Sequence, residues 1–288
     1  MATLGFIGLG VMGVSMATHL LNAGHELVVY TRTQSKAQPL LALGAKWVET
    51  PQAVAQQADV VFTIVGYPKD VDEVYNGEVG LFSGSRPGQI FVDMTTSTPS
   101  LAQTLYQKGQ QLGVQVLDAP VSGGDLGAKE ARLTTMVGGD KATFEAVEPY
   151  LACFSAKMRL QGAAGAGQHT KMANQIMIAG TMLGMTELLV YAKAMQLSLE
   201  DVLGTVGAGS AANWSLANYA PRILREDYSP GFFAKHFLKD LKIALDEAER
   251  LELKLPATQL AAQLYQQLCE NGHENDGTQA LIKLWWQN

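Results

Sequence analysis

Lys171 stands three residues before Asn174 and four before Gln175 in the segment GAGQHTKMANQ, residues 165–175. On a helix, positions i, i+3 and i+4 share a face, so an amine and up to two carboxamides point the same way. An uncharged run, Met172 to Thr186, follows the lysine and makes this an unusual place for an ammonium. Two readings fit. The lysine can snorkel to water from the first turn while its stem packs. Alternatively it transfers protons, because burial readily lowers a lysine pKa and the charged form stabilises a developing alkoxide. A neighbouring carboxamide would then hold a hydroxyl or carbonyl without adding charge. His169 falls on a different face and receives no role.

A second chemical signal is GFIGLGVMG, residues 5–13, with Gly8, Gly10 and Gly13 in GxGxxG spacing. The pattern alone is weak, but here it leaves a strand and opens a helix. Glycines allow a tight turn and close approach of the backbone to a pyrophosphate, and the helix start offers N–H groups to that anion. The cofactor-binding candidates are therefore Gly8, Leu9, Gly10, Val11, Met12 and Gly13. Readers of NAD carry Asp or Glu at the end of the second strand, where it accepts from the ribose 2′-OH. This chain has Thr31, Arg32 and Thr33 there. A guanidinium clasps a 2′-phosphate bidentately and the hydroxyls add hydrogen bonds, so NADP(H) is the expected cofactor, with NAD(H) also accepted. A third signal is DAPVSGG, residues 118–124, a strand end followed by two glycines. Ser122, Gly123 and Gly124 could present a hydroxyl and bare N–H groups to a small carboxylate. Taken alone, the same residues could form a domain-linking turn.

These groups need elements to hold them. Apolar runs at 3–8, 25–31, 59–65, 89–94 and 114–120 alternate with helical or turn segments, which implies βαβ units and a parallel sheet covered on both faces. Later strands are expected at 133–139 and 156–162. Beyond QGAAGAGQ, residues 161–168, the pattern turns helical, with segments near 167–195, 198–207, 213–225, 232–252, 256–271 and 276–286. The fold class is thus α/β: an N-terminal Rossmann doubly wound parallel sheet over 1–162, then an all-α C-terminal domain over 163–288.

The 288 residues and 47% hydrophobic content suffice for about two domains. A net charge of −6 offers no basic footprint for nucleic acid. Cys153 and Cys269 form no CxxC pair, which reads as a reduced, cytoplasmic protein. Met1 runs into a strand without a basic n-region, so no secretory leader is expected. The run 172–186 is shorter than the ~20 apolar residues of a membrane span, so no membrane association is expected. A helix apolar nearly all round reads instead as one buried within protein. No YxxxK, Walker A or HExxH pattern occurs, and no metal site is expected.

The chain resembles the β-hydroxyacid dehydrogenase family, which includes 3-hydroxyisobutyrate dehydrogenases, tartronate semialdehyde reductases and glyoxylate/succinic semialdehyde reductases. The resemblance is carried by GFIGLGVMG (5–13), DMTTSTP (93–99), DAPVSGG (118–124), GAGQHTKMANQ (165–175) and FFAKHFLKDLKIALDEA (232–248), in the family's order and spacing. It implies a helical domain like the C-terminal domain of 6-phosphogluconate dehydrogenase, and homodimers or homotetramers packed through that domain. It also implies NAD(P)-dependent interconversion of a small β-hydroxyacid and its aldehyde or keto acid. Lys171 matches the catalytic lysine, and Ser122, Gly123 and Gly124 match the substrate-carboxylate loop. Asn174 matches the assisting asparagine of many members, while others place it where this chain has Gln175. Thr95 and Thr96 match hydroxyl residues beside the nicotinamide; Lys239 and Asp240 match a pair that closes over cofactor and substrate. The chain departs from the pattern at Val65-Gly66-Tyr67, where Leu-Pro is common after the fourth strand, and at Ala131, where glycine is common. Rival readings are an imine reductase, which shares the architecture but commonly lacks the lysine, and a non-enzymatic NADP-binding sensor or scaffold.

Overall fold

The computed structural model describes residues 2–286. The chain forms two compact units that divide between Lys171 and Met172, later than the 162/163 junction read from the sequence. The first unit is built on β1 (Leu4–Ile7), β2 (Leu27–Tyr30), β3 (Lys46–Trp47), β4 (Val60–Thr63), β5 (Ile90–Asp93), β6 (Gln115–Asp118), β7 (Val121–Ser122), β8 (Leu133–Gly138) and β9 (Ser155–Gly162). They form one sheet in the order β3-β2-β1-β4-β5-β6-β8-β7, with β9 beside β8. The six strands from β1 to β6 pair in parallel. The far end departs from an all-parallel sheet, since β8 runs antiparallel to both β6 and β7.

Period-two alternation explains why the sheet needs helices on both faces. Along β4, Val60 and Phe62 join a core with Met16 and Leu20. The intervening Val61 joins Val54, Tyr75 and Leu105 on the opposite side. The covering helices are α1 (Gly13–Asn22), α2 (Gln38–Leu41), α3 (Pro51–Gln57), α4 (Pro68–Asn76), α5 (Pro99–Leu112), α6 (Gly124–Lys129) and α7 (Lys141–Leu151). Their starts are written locally. Thr50 and Thr98 accept the N–H groups of Ala53 and Leu101 at 3.1 and 3.2 Å, each followed by a proline at the first helical position.

The second unit is helical, with α8 (Ala166–Ala194), which carries the division between the units, then α9 (Leu199–Val206), α10 (Trp214–Asn218), α11 (Ala220–Leu224), α12 (Ala234–Arg250) and α13 (Pro256–Leu268). Met182, Leu189, Phe237, Leu241 and Tyr265 form its core. The helix expected over 213–225 is split in two, because Pro221 lacks the N–H that would continue the first piece. The helix expected to reach 271 leaves α geometry at Cys269, and Gly272, at φ +86°, turns the chain.

Helix α8 corrects a sequence expectation. It spans 29 residues and is long and apolar enough, by length and composition, to cross a membrane; the uncharged run alone understated it. Nor is it buried all round. Ala173, Met177, Gly180, Gly184, Glu187 and Tyr191 form an exposed stripe, with Met177 at 67% and Tyr191 at 68%. Composition records how apolar a helix is, not which of its faces its own domain covers.

Candidate active site

Because β1, β2, β4, β5 and β6 are parallel, their carboxyl ends lie along one edge of the sheet, where ligands of open α/β folds bind. Gly8–Gly13, Thr31–Thr33, Val65–Tyr67 and Thr95–Thr96 follow those ends, and Ser122–Gly124 follow the β6 end by way of the short β7. Gly8 adopts φ +96°, and a Cβ there would collide with the Ile64 carbonyl oxygen; a Cβ on Gly13 would collide with the carbonyl of Gly8. These two glycines lock the start of α1 against β4. Gly10 is exposed and would meet no protein atom, so it leaves a bare cradle before the helix start. Val11 is exposed, Met12 is half-buried and Leu9 anchors the turn in the core. A cradle of this form fits a pyrophosphate. Gly8→Ala is expected to lower stability by about 3 kcal/mol or more, through collision and backbone strain together; thermal melting checks this.

Arg32 follows β2 with its side chain 78% exposed, while Thr31 is buried and Thr33 exposed. The Arg32 guanidinium meets Asp70 Oδ1 at 3.2 Å. Asp70, in the first turn of α4, also accepts the Tyr67 N–H at 3.1 Å. Thr95 is buried, and its hydroxyl accepts the Val65 N–H at 3.0 Å. Thr95 thereby ties the loop after β4 to the loop after β5. Thr96 and Gly66 are half-buried beside them.

Ser122 closes β7, with its backbone opposite Thr134. Gly123 at φ +131° and Gly124 at φ +63° then turn the chain into α6. Both angles favour glycine, so the bare N–H groups expected from the sequence sit on a backbone that other residues rarely adopt.

Lys171 is only 6% exposed. The helix start that carries it is pinned to the same strand ends by two residues the sequence reading did not single out. Asp118, the last residue of β6, is 3% exposed. Its Oδ1 accepts the Gly165 N–H at 2.7 Å and its Oδ2 the Gln168 N–H at 2.8 Å. Burial pushes this carboxyl above the usual aspartate range, and the N–H groups it accepts from offset that only in part. The fully buried Gln168 accepts the Ser97 N–H at 3.0 Å and donates to the Thr95 carbonyl at 2.8 Å. The sequence held one hint of each. Asp118 is a charged residue ending an apolar strand, and Gln168 lies one turn before Lys171 on the same face.

In the second unit four candidates come together. Gln175, 1% exposed, donates to Asp240 Oδ2 at 2.7 Å and accepts from the Asn174 amide at 2.7 Å. Lys239 Nζ lies 3.0 Å from the other Asp240 oxygen. Both ends of the Gln175 amide are thus engaged, while Asn174 is half-buried.

A glycine-cradled helix start on a sheet of this order, followed by a helical segment, is the architecture of a Rossmann-type dinucleotide-binding protein. Residues 3–164 match the model of the NAD binding domain of 6-phosphogluconate dehydrogenase. Residues 165–285 match that of the NAD-binding domain of NADP-dependent 3-hydroxyisobutyrate dehydrogenase. The chain belongs to the β-hydroxyacid dehydrogenase family and is an enzyme that uses a nicotinamide cofactor. It is 47% identical over 280 residues to a probable 3-hydroxyisobutyrate dehydrogenase-like protein of Arabidopsis thaliana, covering 97% of this chain and 84% of that protein. It is 38% identical to 2-hydroxy-3-oxopropionate reductase of Escherichia coli strain K12, covering 97% and 96%. The structure of 3-hydroxyisobutyrate dehydrogenase from Mycobacterium tuberculosis with L-serine is similar at a TM-score of 0.90 and 29% identity, over 99% of both chains.

Proposed function

We propose that the protein interconverts a small β-hydroxyacid and the corresponding aldehyde or keto acid, with NADP(H) preferred over NAD(H) and Lys171 as the general acid and base. The observation that carries this reading is a buried lysine on a helix start pinned to the carboxyl ends of β5 and β6, along the edge that also bears the glycine cradle. The nicotinamide, when bound, supplies or takes the hydride. In reduction, protonated Lys171 hydrogen-bonds the substrate carbonyl oxygen, offsets its growing negative charge and donates a proton. In oxidation, the neutral amine accepts the hydroxyl proton. Ser122 and the N–H groups of Gly123 and Gly124 hold the substrate carboxylate and so orient the carbon that reacts. Asn174 is the amide with capacity left to assist, because Gln175 is committed to Asp240 and Asn174. Arg32 reads the 2′-phosphate, flanked by Thr31 and Thr33.

The test is a panel of glyoxylate, C3 and C4 semialdehydes and cyclic imines, each offered with NADPH and NADH and followed by nicotinamide absorbance. Reduction of the aldehyde acids with NADPH is the expected result. Turnover of imines alone would favour an imine reductase, and cofactor binding without any turnover a sensor.

The homo-oligomer belongs to the same reading. The exposed stripe of α8 borders a groove of about 600 Å³ lined by Ala173, Met177, Gly184, Leu188 and Leu216. Contiguous apolar surface of this kind marks an interaction site, and a second copy of the chain is the partner proposed. Met177→Glu is expected to convert the assembly to monomers in analytical ultracentrifugation. An unchanged sedimentation coefficient would place the interface elsewhere.

A further inference from the structure

The side chain of Gln168 takes no part in the proposed reaction, yet it is fully buried with both its polar ends paired. Burying a carboxamide is costly unless each polar end is paired. Here the oxygen accepts the Ser97 N–H at 3.0 Å and the nitrogen donates to the Thr95 carbonyl at 2.8 Å. Both partners are backbone groups of one segment, two residues apart. Such two-point pairing resembles a rung of sheet, and it fixes both the height and the rotation of the helix start against the loop after β5. Thr95 extends the link, because its hydroxyl holds the Val65 N–H of the loop after β4. On the helix side, the Gln168 N–H is itself anchored on Asp118 at 2.8 Å. One side chain therefore joins two loops of the cofactor edge to the turn that bears Lys171. Lys171 follows three residues later, about 4.5 Å along the axis on the same face.

We infer that Gln168 is a positioning residue: it sets the Lys171 amine in register with the loop after β5, so that proton transfer and hydride transfer meet at one carbonyl. The inference rests on Lys171 being the proton-transfer group. A side chain that only holds the fold together would show its loss in melting temperature and leave turnover of the folded enzyme intact. A positioning side chain shows its loss in kcat, because misplacement by about 1 Å costs on the order of 100-fold. NADPH affinity should fall less than kcat, since the glycine cradle and Arg32 are built on other elements and only the loops after β4 and β5 lose a tie.

The conservative variant gives a signature that packing cannot mimic. In Gln168→Glu, a protonated carboxyl reproduces both bonds, with its carbonyl accepting from Ser97 and its O–H donating to Thr95. Once ionised, it sets an oxygen against the Thr95 carbonyl oxygen. Burial among backbone dipoles raises such a carboxyl, so kcat should approach the wild-type value at the acid end of the range. It should then fall as pH rises, along a limb additional to those that wild type and Gln168→Met share.

Wild type, Gln168→Met, Gln168→Glu and Lys171→Met are compared with the aldehyde acid of the panel that is turned over fastest. The measurements are melting temperature, NADPH affinity by fluorescence titration, and kcat and KM across pH. Folded Gln168→Met is expected to lose roughly 10- to 100-fold in kcat, more than it loses in NADPH affinity, and Gln168→Glu to show the new pH limb. Wild-type kcat in folded Gln168→Met, or a kcat loss no larger than its loss of NADPH affinity, overturns the inference. Should Gln168→Met fail to fold, the pH profile of Gln168→Glu decides, and a profile parallel to wild type overturns it. Normal turnover by Lys171→Met would instead sink the lysine reading. An inactive Lys171→Met beside a fully active Gln168→Met sinks the positioning role alone.

Discussion

Lys171→Ala lowers kcat by at least ~100-fold, the scale of general acid–base loss, while NADPH binding persists. The lysine is the last residue of the first unit and is 6% exposed, on a turn that Asp118 and Gln168 tie to the ends of β6 and β5 through groups other than the lysine side chain. Removing its side chain therefore takes away the proton donor without disturbing the cradle at Gly10 or the Arg32 position. Lys171→Arg should not restore turnover. A guanidinium keeps the charge but does not deprotonate in proteins, so it cannot serve as base. Steady-state kinetics in both directions, with a fluorescence titration of NADPH, separate the two effects. Turnover of the alanine variant near the wild-type rate would remove Lys171 from the chemistry.

Arg32→Asp inverts the cofactor preference. The exposed pair between Arg32 and Asp70 contributes about 0–1 kcal/mol, so redirecting the guanidinium to a 2′-phosphate costs little. Hydrogen bonds to charged groups are worth about 1.5–3 kcal/mol, and loss of a bidentate clasp should lower kcat/KM with NADPH by roughly 100-fold. With NADH the same variant should hold or gain, because a carboxylate at this position accepts from the ribose 2′-OH. Arg32→Ala separates lost attraction from added repulsion. A ratio of NADPH to NADH kcat/KM that does not move in either variant would leave Arg32 as an ordinary surface cation.

The parallel strands were legible because each is a short apolar run between turn residues, and β1, β2, β4, β5 and β6 lie inside the predicted runs. Strands β3 and β7 were not legible, since two residues apiece cannot display a period. The glycine turn, Arg32 and Lys171 were accessible because each is defined by its own type and near neighbours. Asp118 and Gln168 reach across 50 residues, and Gln175 and Asp240 across 65. No local pattern encodes such pairings; they arise only when the sheet orders its strands and α12 packs on α8. The exposed stripe of α8 was hidden for a related reason. Its methionine, glycines and tyrosine look like core residues until the domain's own helices have chosen a side.

The mismatch between two seams has a practical meaning. Homology changes over between residues 164 and 165, whereas the compact units part between Lys171 and Met172. A chimaera spliced at the homology seam would graft a foreign Gln168 and Lys171 onto the native Asp118, Thr95 and Ser97. Swapping the helical half to borrow another enzyme's selectivity therefore exchanges half of a clamp as well, and donors should be screened first for a residue able to grip that native backbone.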